Sequence, residues 1–313
     1  MKWMSPRRAI TAISLICAIS LGLASCLARR RLIVRAGGST NQKLIVVNRA
    51  TLLDIVLRQY NAMHDFSATV DMVPALGSTE KSRITEYKDV RAFILFRKPA
   101  DIRIIGLVPL VRNKAFDMVS GGSDFKLYIP SRNRFIVGRN AIEQPSANKI
   151  ENLRPQHFLD SLIVRPIDLD TSKVLVENFT DEDNAFYILH EIHANGDGQL
   201  QLARTIWFSR LNLQLARQLI FDPDGNILTD ARYSQWQAWD NIGFPKHVEI
   251  NRPRDEYGVV IDIVKMDINK GVTDDKFVLD QPEGSTLQTV GQPPATPPTA
   301  PAAPAPRPPR KKR

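Results

Sequence analysis

Between Leu44 and Met63 the apolar positions Leu52, Val56 and Tyr60, flanked by Leu53 and Leu57, recur at helical spacing. This predicts one amphipathic helix that Thr51 can cap. From Phe66 onward the period falls to two. Strands are expected at Ser67–Val73, Ser82–Phe96, Asp101–Leu107, Lys114–Val119, Phe125–Ile129 and Arg134–Val137, parted by turn residues such as Lys98-Pro99-Ala100 and Gly121-Gly122-Ser123. A short helix then breaks the alternation. Pro155 suits its first turn, and Phe158, Leu159, Leu162 and Ile163 form its apolar stripe. Alternation resumes at Lys173–Asn178, Ala185–His193, Gln201–Phe208, Gln214–Phe221, Asn226–Trp239, His247–Asn251 and Tyr257–Ile268, with hairpin signals at Asn195-Gly196-Asp197-Gly198 and Asp222-Pro223-Asp224-Gly225. About a dozen strands with two or three helices and no internal repeat predict a mainly β (α+β) chain built on one large curved antiparallel sheet. One face of each strand is apolar, so helices, a second sheet or a ligand must cover it.

Both ends of the chain depart from this pattern. Lys2, Arg7 and Arg8 precede an apolar run from Ala9 to Leu23, and Leu23-Ala24-Ser25-Cys26 resembles a lipobox, with residues 1–25 as the signal peptide and Cys26 as the acylated first residue. Ordinary cleavage or an uncleaved anchor helix are the competing readings. Leu27, which is not acidic, favours the outer membrane by resemblance to lipoprotein sorting rules. Residues 26–43 form a basic tether, and residues 281–313 form a Pro/Ala-rich tail ending in Arg310-Lys311-Lys312-Arg313, a composition that cannot build a core and is expected to be disordered.

Charge follows the same division. The formal +9 resolves into +3 in the leader, +5 in residues 26–43 and +4 from residue 281 on, leaving residues 44–280 at −3. That excludes a nucleic-acid binder on electrostatic grounds and directs the basic segments toward lipid headgroups or plain solvent. Both cysteines, Cys17 and Cys26, fall in or at the end of the leader, so the body is held by packing, without disulfides or thiolate chemistry.

The order of elements is similar to the LolA/LolB-type lipoprotein-localisation superfamily over residues 44–280. The likeness rests on the helix, Phe66-Ser67-Ala68-Thr69-Val70, the strand ending Phe96-Arg97-Lys98-Pro99, Asp101-Ile102-Arg103-Ile104, Gly106-Leu107-Val108-Pro109-Leu110, Asp124-Phe125-Lys126-Leu127-Tyr128 and the closing Asp275-Lys276-Phe277-Val278-Leu279. The resemblance implies an unclosed half-barrel around a helical lid, with an apolar cavity for acyl chains. A lipobox points to the receptor-like arm, in which an apolar loop touches the membrane. The matching stretch is Leu107, Val108, Leu110 and Val111 around Pro109. This loop either dips into lipid or meets incoming acyl chains, or it is ordinary core beneath the lid. Alternation nominates Val70, Phe93, Leu95, Ile102, Ile104, Phe116, Met118, Phe125 and Leu127 as cavity lining, although alternation alone leaves the face invertible.

Catalytic or metal chemistry finds no residue set. His190 and His193 fall on opposite faces of a strand, whereas a zincin pair needs i, i+4 on a helix. His64 and His157 stand alone as surface or lid residues. Asp222-Pro223-Asp224-Gly225-Asn226 has its glycine in the wrong place for a calcium loop and reads as a turn. An integral outer-membrane barrel conflicts with charges on both strand faces, among them Arg91, Lys126, Glu191 and Lys265. The expectation is a monomeric, non-enzymatic envelope lipoprotein with no cofactor beyond its covalent N-terminal acyl groups. It would bind membrane lipid or acylated lipoprotein, receive cargo from a periplasmic carrier protein and face the periplasm from the outer membrane. The alternative is an envelope sensor or scaffold that docks proteins without transferring lipid.

Overall fold

In the computed structural model the described residues are 43–78, 83–86, 89–108, 113–141, 152–181, 183–194 and 196–290. Cys26, the leader, the tether up to residue 42, Leu110, Val111 and the chain beyond Val290 lie outside them. Helix α1 covers Arg49–Ala62 and α2 covers Pro155–Leu162. The strands are β1 (Asp65–Ser78), β2 (Arg83–Glu86), β3 (Val90–Arg97), β4 (Asp101–Leu107), β5 (Lys114–Gly121), β6 (Asp124–Ile129), β7 (Arg134–Arg139) and β8 (Ser172–Thr180). The remainder are β9 (Ala185–Ala194), β10 (Leu200–Ser209), β11 (Leu215–Phe221), β12 (Ile227–Trp239), β13 (Ile242–Arg252), β14 (Tyr257–Ile268) and β15 (Thr286–Val290).

All 15 described strands join one sheet in the order β15-β7-β6-β5-β4-β3-β1-β14-β13-β12-β11-β10-β9-β8, with β2 on the far end of β1. Neighbours are antiparallel except β15, which runs parallel to β7. The two ends of this path do not meet, so the sheet is an unclosed half-barrel. Both helices lie against one face, here the inner face. Leu52 and Val56 of α1 and Phe158 and Leu159 of α2 join Phe66, Ile94, Phe96, Phe208, Phe244 and Ile261 in a single buried cluster. Burial of each such side chain contributes roughly 1.5–3 kcal/mol.

Several boundaries differ from the sequence expectation for physical reasons. Helix α1 starts earlier because Asn48, rather than Thr51, is its cap: the Asn48 carboxamide oxygen accepts the Thr51 N–H at 2.9 Å. The single strand expected over 82–96 is two strands, and both pair with β1. β3 takes Asp65–Met72 and β2 takes Ala75–Ser78. Strand β13 begins at Ile242, five residues before the expected start. A two-residue turn, Asp240-Asn241, with φ of 47° and 65°, closes it onto β12. Pro245 is tolerated there because pairing with β14 stops at His247, which leaves the other side of the strand without a ladder to break.

The described chain also runs past the expected body limit at Asp280. Around a 3-10 turn at Asp274–Phe277, residues 272–279 strap the outer face, and β15 follows at the edge of the sheet. Arg97 reaches Asp274 at 2.6 Å and lies over the Phe277 ring, Arg103 donates to the carbonyls of Lys276 and Val278, and Lys126 donates to that of Leu279. Leu279 then packs with Val119 and Phe135. Beneath the strap Asp117, fully buried, accepts from Arg103 and Lys114 at 2.8 and 2.7 Å. Burial pushes the Asp117 carboxyl up, but those hydrogen bonds outweigh it and hold the group below its usual range.

Candidate functional site

Strand register divides the nominated cavity residues between the two faces. Ile94, Ile104, Met118, Leu127 and Ile136 stand opposite one another across β3 to β7, and Phe96, Ile102, Ser120 and Phe125 form the next row. Val70, opposite Ala92, belongs to the same inner face. Phe93 and Leu95 do not. Their cross-strand partners are Ile105 and Arg103, on the outer face, and Phe93 is 40% exposed. The inversion arises because Ala92 and Ile94 are as apolar as Phe93 and Leu95, so a strand apolar on both sides carries no parity signal.

Most of the inner face is filled. Val70, Ile102 and Ile104 are fully buried and Phe125 nearly so, in packing with the helices. Among the described residues a hollow of about 300 Å³ remains toward the rim of the sheet, beside Leu153 and Phe158. Met72, Val90, Phe116, Met118, Leu127 and Phe158 wall it, with Ala115, Ile129 and Val259 at its margin. Three of the nominated residues, Phe116, Met118 and Leu127, therefore converge on it. Gly106 makes room for one of them, because a Cβ there would collide with the Phe116 ring.

Leu107 and Val108 reach the same rim, since Gly106 pairs with Phe116 and Leu107 with Lys114. Val108 is 37% exposed, and its N–H donates to the Asn113 carbonyl at 2.7 Å, which closes the base of the loop. A larger groove of about 450 Å³ at Asp222, Asp224, Asn226 and Arg254 is polar and open. Asp222 is occupied with the turn itself, accepting from the backbone of Asp224 and Asn226, as the sequence reading of a turn requires. His190 and His193 each meet a separate carboxylate, Glu177 and Glu191.

Helix α2 is held over the hollow by polar groups. His157, inside the apolar stripe, has Nδ1 2.6 Å from the Tyr257 hydroxyl and Nε2 3.1 Å from Arg252. Arg252 also donates to Asp255 and Thr229 at 2.7 and 2.6 Å. Arg can only donate, so Nε2 must accept, and the ring is neutral with its proton on Nδ1. Burial drives the His157 pKa well below its ordinary value, helped by the nearby cations Arg252 and Arg154. Ser161 and Asp160 of the same helix offer their carbonyls to Tyr233 and Gln218 at 2.7 and 2.9 Å. Arg154, just before the helix, stacks 4.3 Å over Phe125. The sequence reading left His157 as an isolated surface or lid residue without these partners. A histidine amid an apolar stripe was the one available sign of them.

No family model matches the chain, and no curated protein matches it. Solved structures do. A DUF1329 family protein from Desulfovibrio piger aligns with a TM-score of 0.50 at 17% identity, covering 73% of this chain and 96% of that one. The likeness is one of fold. A LolA superfamily protein from Nitrosomonas europaea aligns at TM-score 0.49 and 14% identity, covering 75% and 99% of the two chains. A domain from Vibrio parahaemolyticus named for outer membrane lipoprotein sorting aligns at 0.47 and 13%, covering 74% and 97%. The open half-barrel over a helical lid is the architecture that the resemblance implied.

Proposed function

We propose that this chain is a non-enzymatic lipoprotein, anchored through Cys26, that takes acyl chains of lipid or of acylated lipoproteins into the rim hollow and helps deliver them to the outer membrane. The apolar hollow beside Val108 carries this reading. Among the described residues its walls bring one charged group, Arg132 at the edge, as expected of a site that selects by burial rather than by hydrogen bonding. At about 300 Å³ it lies at the small end of ligand sites, typically ~300–1,000 Å³, which suits the end of one chain rather than a whole lipid. Transfer needs no energy source. At ~0.8 kcal/mol per buried methylene, a bilayer that covers more of the chain than the hollow does will draw it out.

The test is organic extraction and native mass spectrometry of the full chain purified from membranes. Wild-type protein is expected to carry lipid beyond its own covalent acyl groups, and Ala115→Trp, at the partly exposed margin of the hollow, to retain several-fold less. A lipid-free wild type would overturn the reading. If that protein instead arrived with a bound protein partner, the docking alternative would take its place.

A further inference from the structure

The two ends of the strand path are guarded unequally. On one side the five residues of β15 and the strap behind them cover β7. On the other, the nine-residue β8 is paired with β9 alone among the described strands, without a register shift, and contains neither proline nor glycine. Sheet edges are normally blunted by bulges, prolines, short length or several charges, because unpaired N–H and C=O groups invite another strand. Here Leu175 and Val176, at the middle of the edge, are 60% and 39% exposed.

The residues of β8 complement themselves in one antiparallel register. With a two-fold axis at Leu175, Leu175 meets its own copy, Val174 meets Val176, and Lys173 meets Glu177, twice over. Both members of every pair then lie on the same face, which requires the paired residue numbers to have equal parity. Moving the axis to Val176 would set Leu175 against Glu177 and Lys173 against Phe179, losing both the charge and the apolar match. Lys173 is exposed, and Glu177 uses one carboxylate oxygen on His190 at 2.9 Å, leaving the other for a lysine.

We propose that β8 is a homodimerisation edge, at which two copies of the chain join their half-barrels into one continuous sheet about Leu175. This departs from the monomer expected from sequence and does not depend on the lipid-binding reading. Cross-strand pairs of opposite charge stabilise by roughly 0.2–1 kcal/mol and like pairs destabilise, so reversing both symmetry-related contacts should weaken the dimer about tenfold.

Sedimentation velocity of the full chain in detergent tests it. A dimer is expected for wild type, a shift toward monomer for Lys173→Glu and for Glu177→Lys, and a dimer again for the double reversal, with unchanged thermal melts confirming the fold. Leu175→Cys should give an intermolecular disulfide in excess of any formed by wild type, which controls for Cys17 and Cys26. A monomeric wild type, as expected if the edge serves a different protein's strand, would overturn the proposal. So would a dimer indifferent to charge reversal, as from two chains sharing a micelle, or a Leu175→Cys variant no more cross-linked than wild type.

Discussion

At the residue scale, His157 couples solvent acidity to the seating of α2. Its folded pKa lies below the ordinary value of 6.5, so as pH falls past that value the unfolded chain binds a proton that the folded chain refuses. The stability it contributes is complete above pH 6.5 and is lost on acidification. A proton on Nε2 would also set an N–H against the Arg252 N–H, although Asp255, 3.9 Å from Nδ1, softens the cost. His247 works in the opposite sense. Burial lowers its pKa, but hydrogen bonds to Asp262 and Glu249 outweigh that and raise it, so its contribution is present in acid and lost as pH rises through the raised value. We expect His157→Gln to flatten the decline of unfolding free energy as pH falls below 6.5, and His247→Gln to flatten its decline as pH rises above 6.5, as read from denaturant titrations across pH. A His157→Gln profile parallel to wild type would show that the ring is not the responsible proton site.

At the scale of elements, β15 holds its place through an absence. A Cβ on Gly138 would collide with the Val290 carbonyl oxygen and lie 2.8 Å from a Val290 side-chain carbon. Gly138→Val is therefore expected to lift β15 off β7 while the rest of the sheet stays folded, seen as lost hydrogen-exchange protection at Thr286–Val290 and Arg134–Arg139 only. Polarity explains why this strand was not legible in the sequence. Thr286-Leu287-Gln288-Thr289-Val290 follows Pro282 and Gly284 and precedes a proline tract, so its composition matched the tail. Strands with one polar face, such as β4 and β6, were read within a residue of their bounds, and their inner residues Ile102, Ile104, Phe125 and Leu127 fell on the expected side. β3, apolar on both faces, was found but read inside out. The polar latch on α2 joins residues about a hundred positions apart, which no local periodicity encodes.

For the molecule as a whole, packing and vacancy compete on one surface. Among the described residues two helices fill most of the inner face, and the rim hollow opens beside the N-terminal half of α2, against Leu153 and Phe158. Phe158 belongs to both sides of that competition, being 3% exposed within the core and also part of the hollow's wall. Phe158→Ala should lower stability by about 3–5 kcal/mol, as expected for loss of a buried aromatic ring, and at the same time enlarge the hollow. The expected pair of results is a lower melting temperature together with more extractable lipid per chain. Lower stability with unchanged lipid would mean that Phe158 bounds no binding space.

The described chain enters the fold at the opposite end of the strands from that hollow. Ile45 donates to the Arg210 carbonyl at 2.8 Å, beyond the last residue of β10, on the side where β1 begins rather than where it ends. A body moored by its N-terminal side thus points its opening outward, like a cup held by its base. To press that opening against the surface it hangs from, it would have to turn over. Seventeen residues, Leu27 to Lys43, separate Cys26 from Leu44, and at ~3.3–3.6 Å per residue a chain of that length could outreach the 14 residues of β1, the longest described strand. Shortening that stretch would fix which way the molecule faces without altering a single residue of its interior.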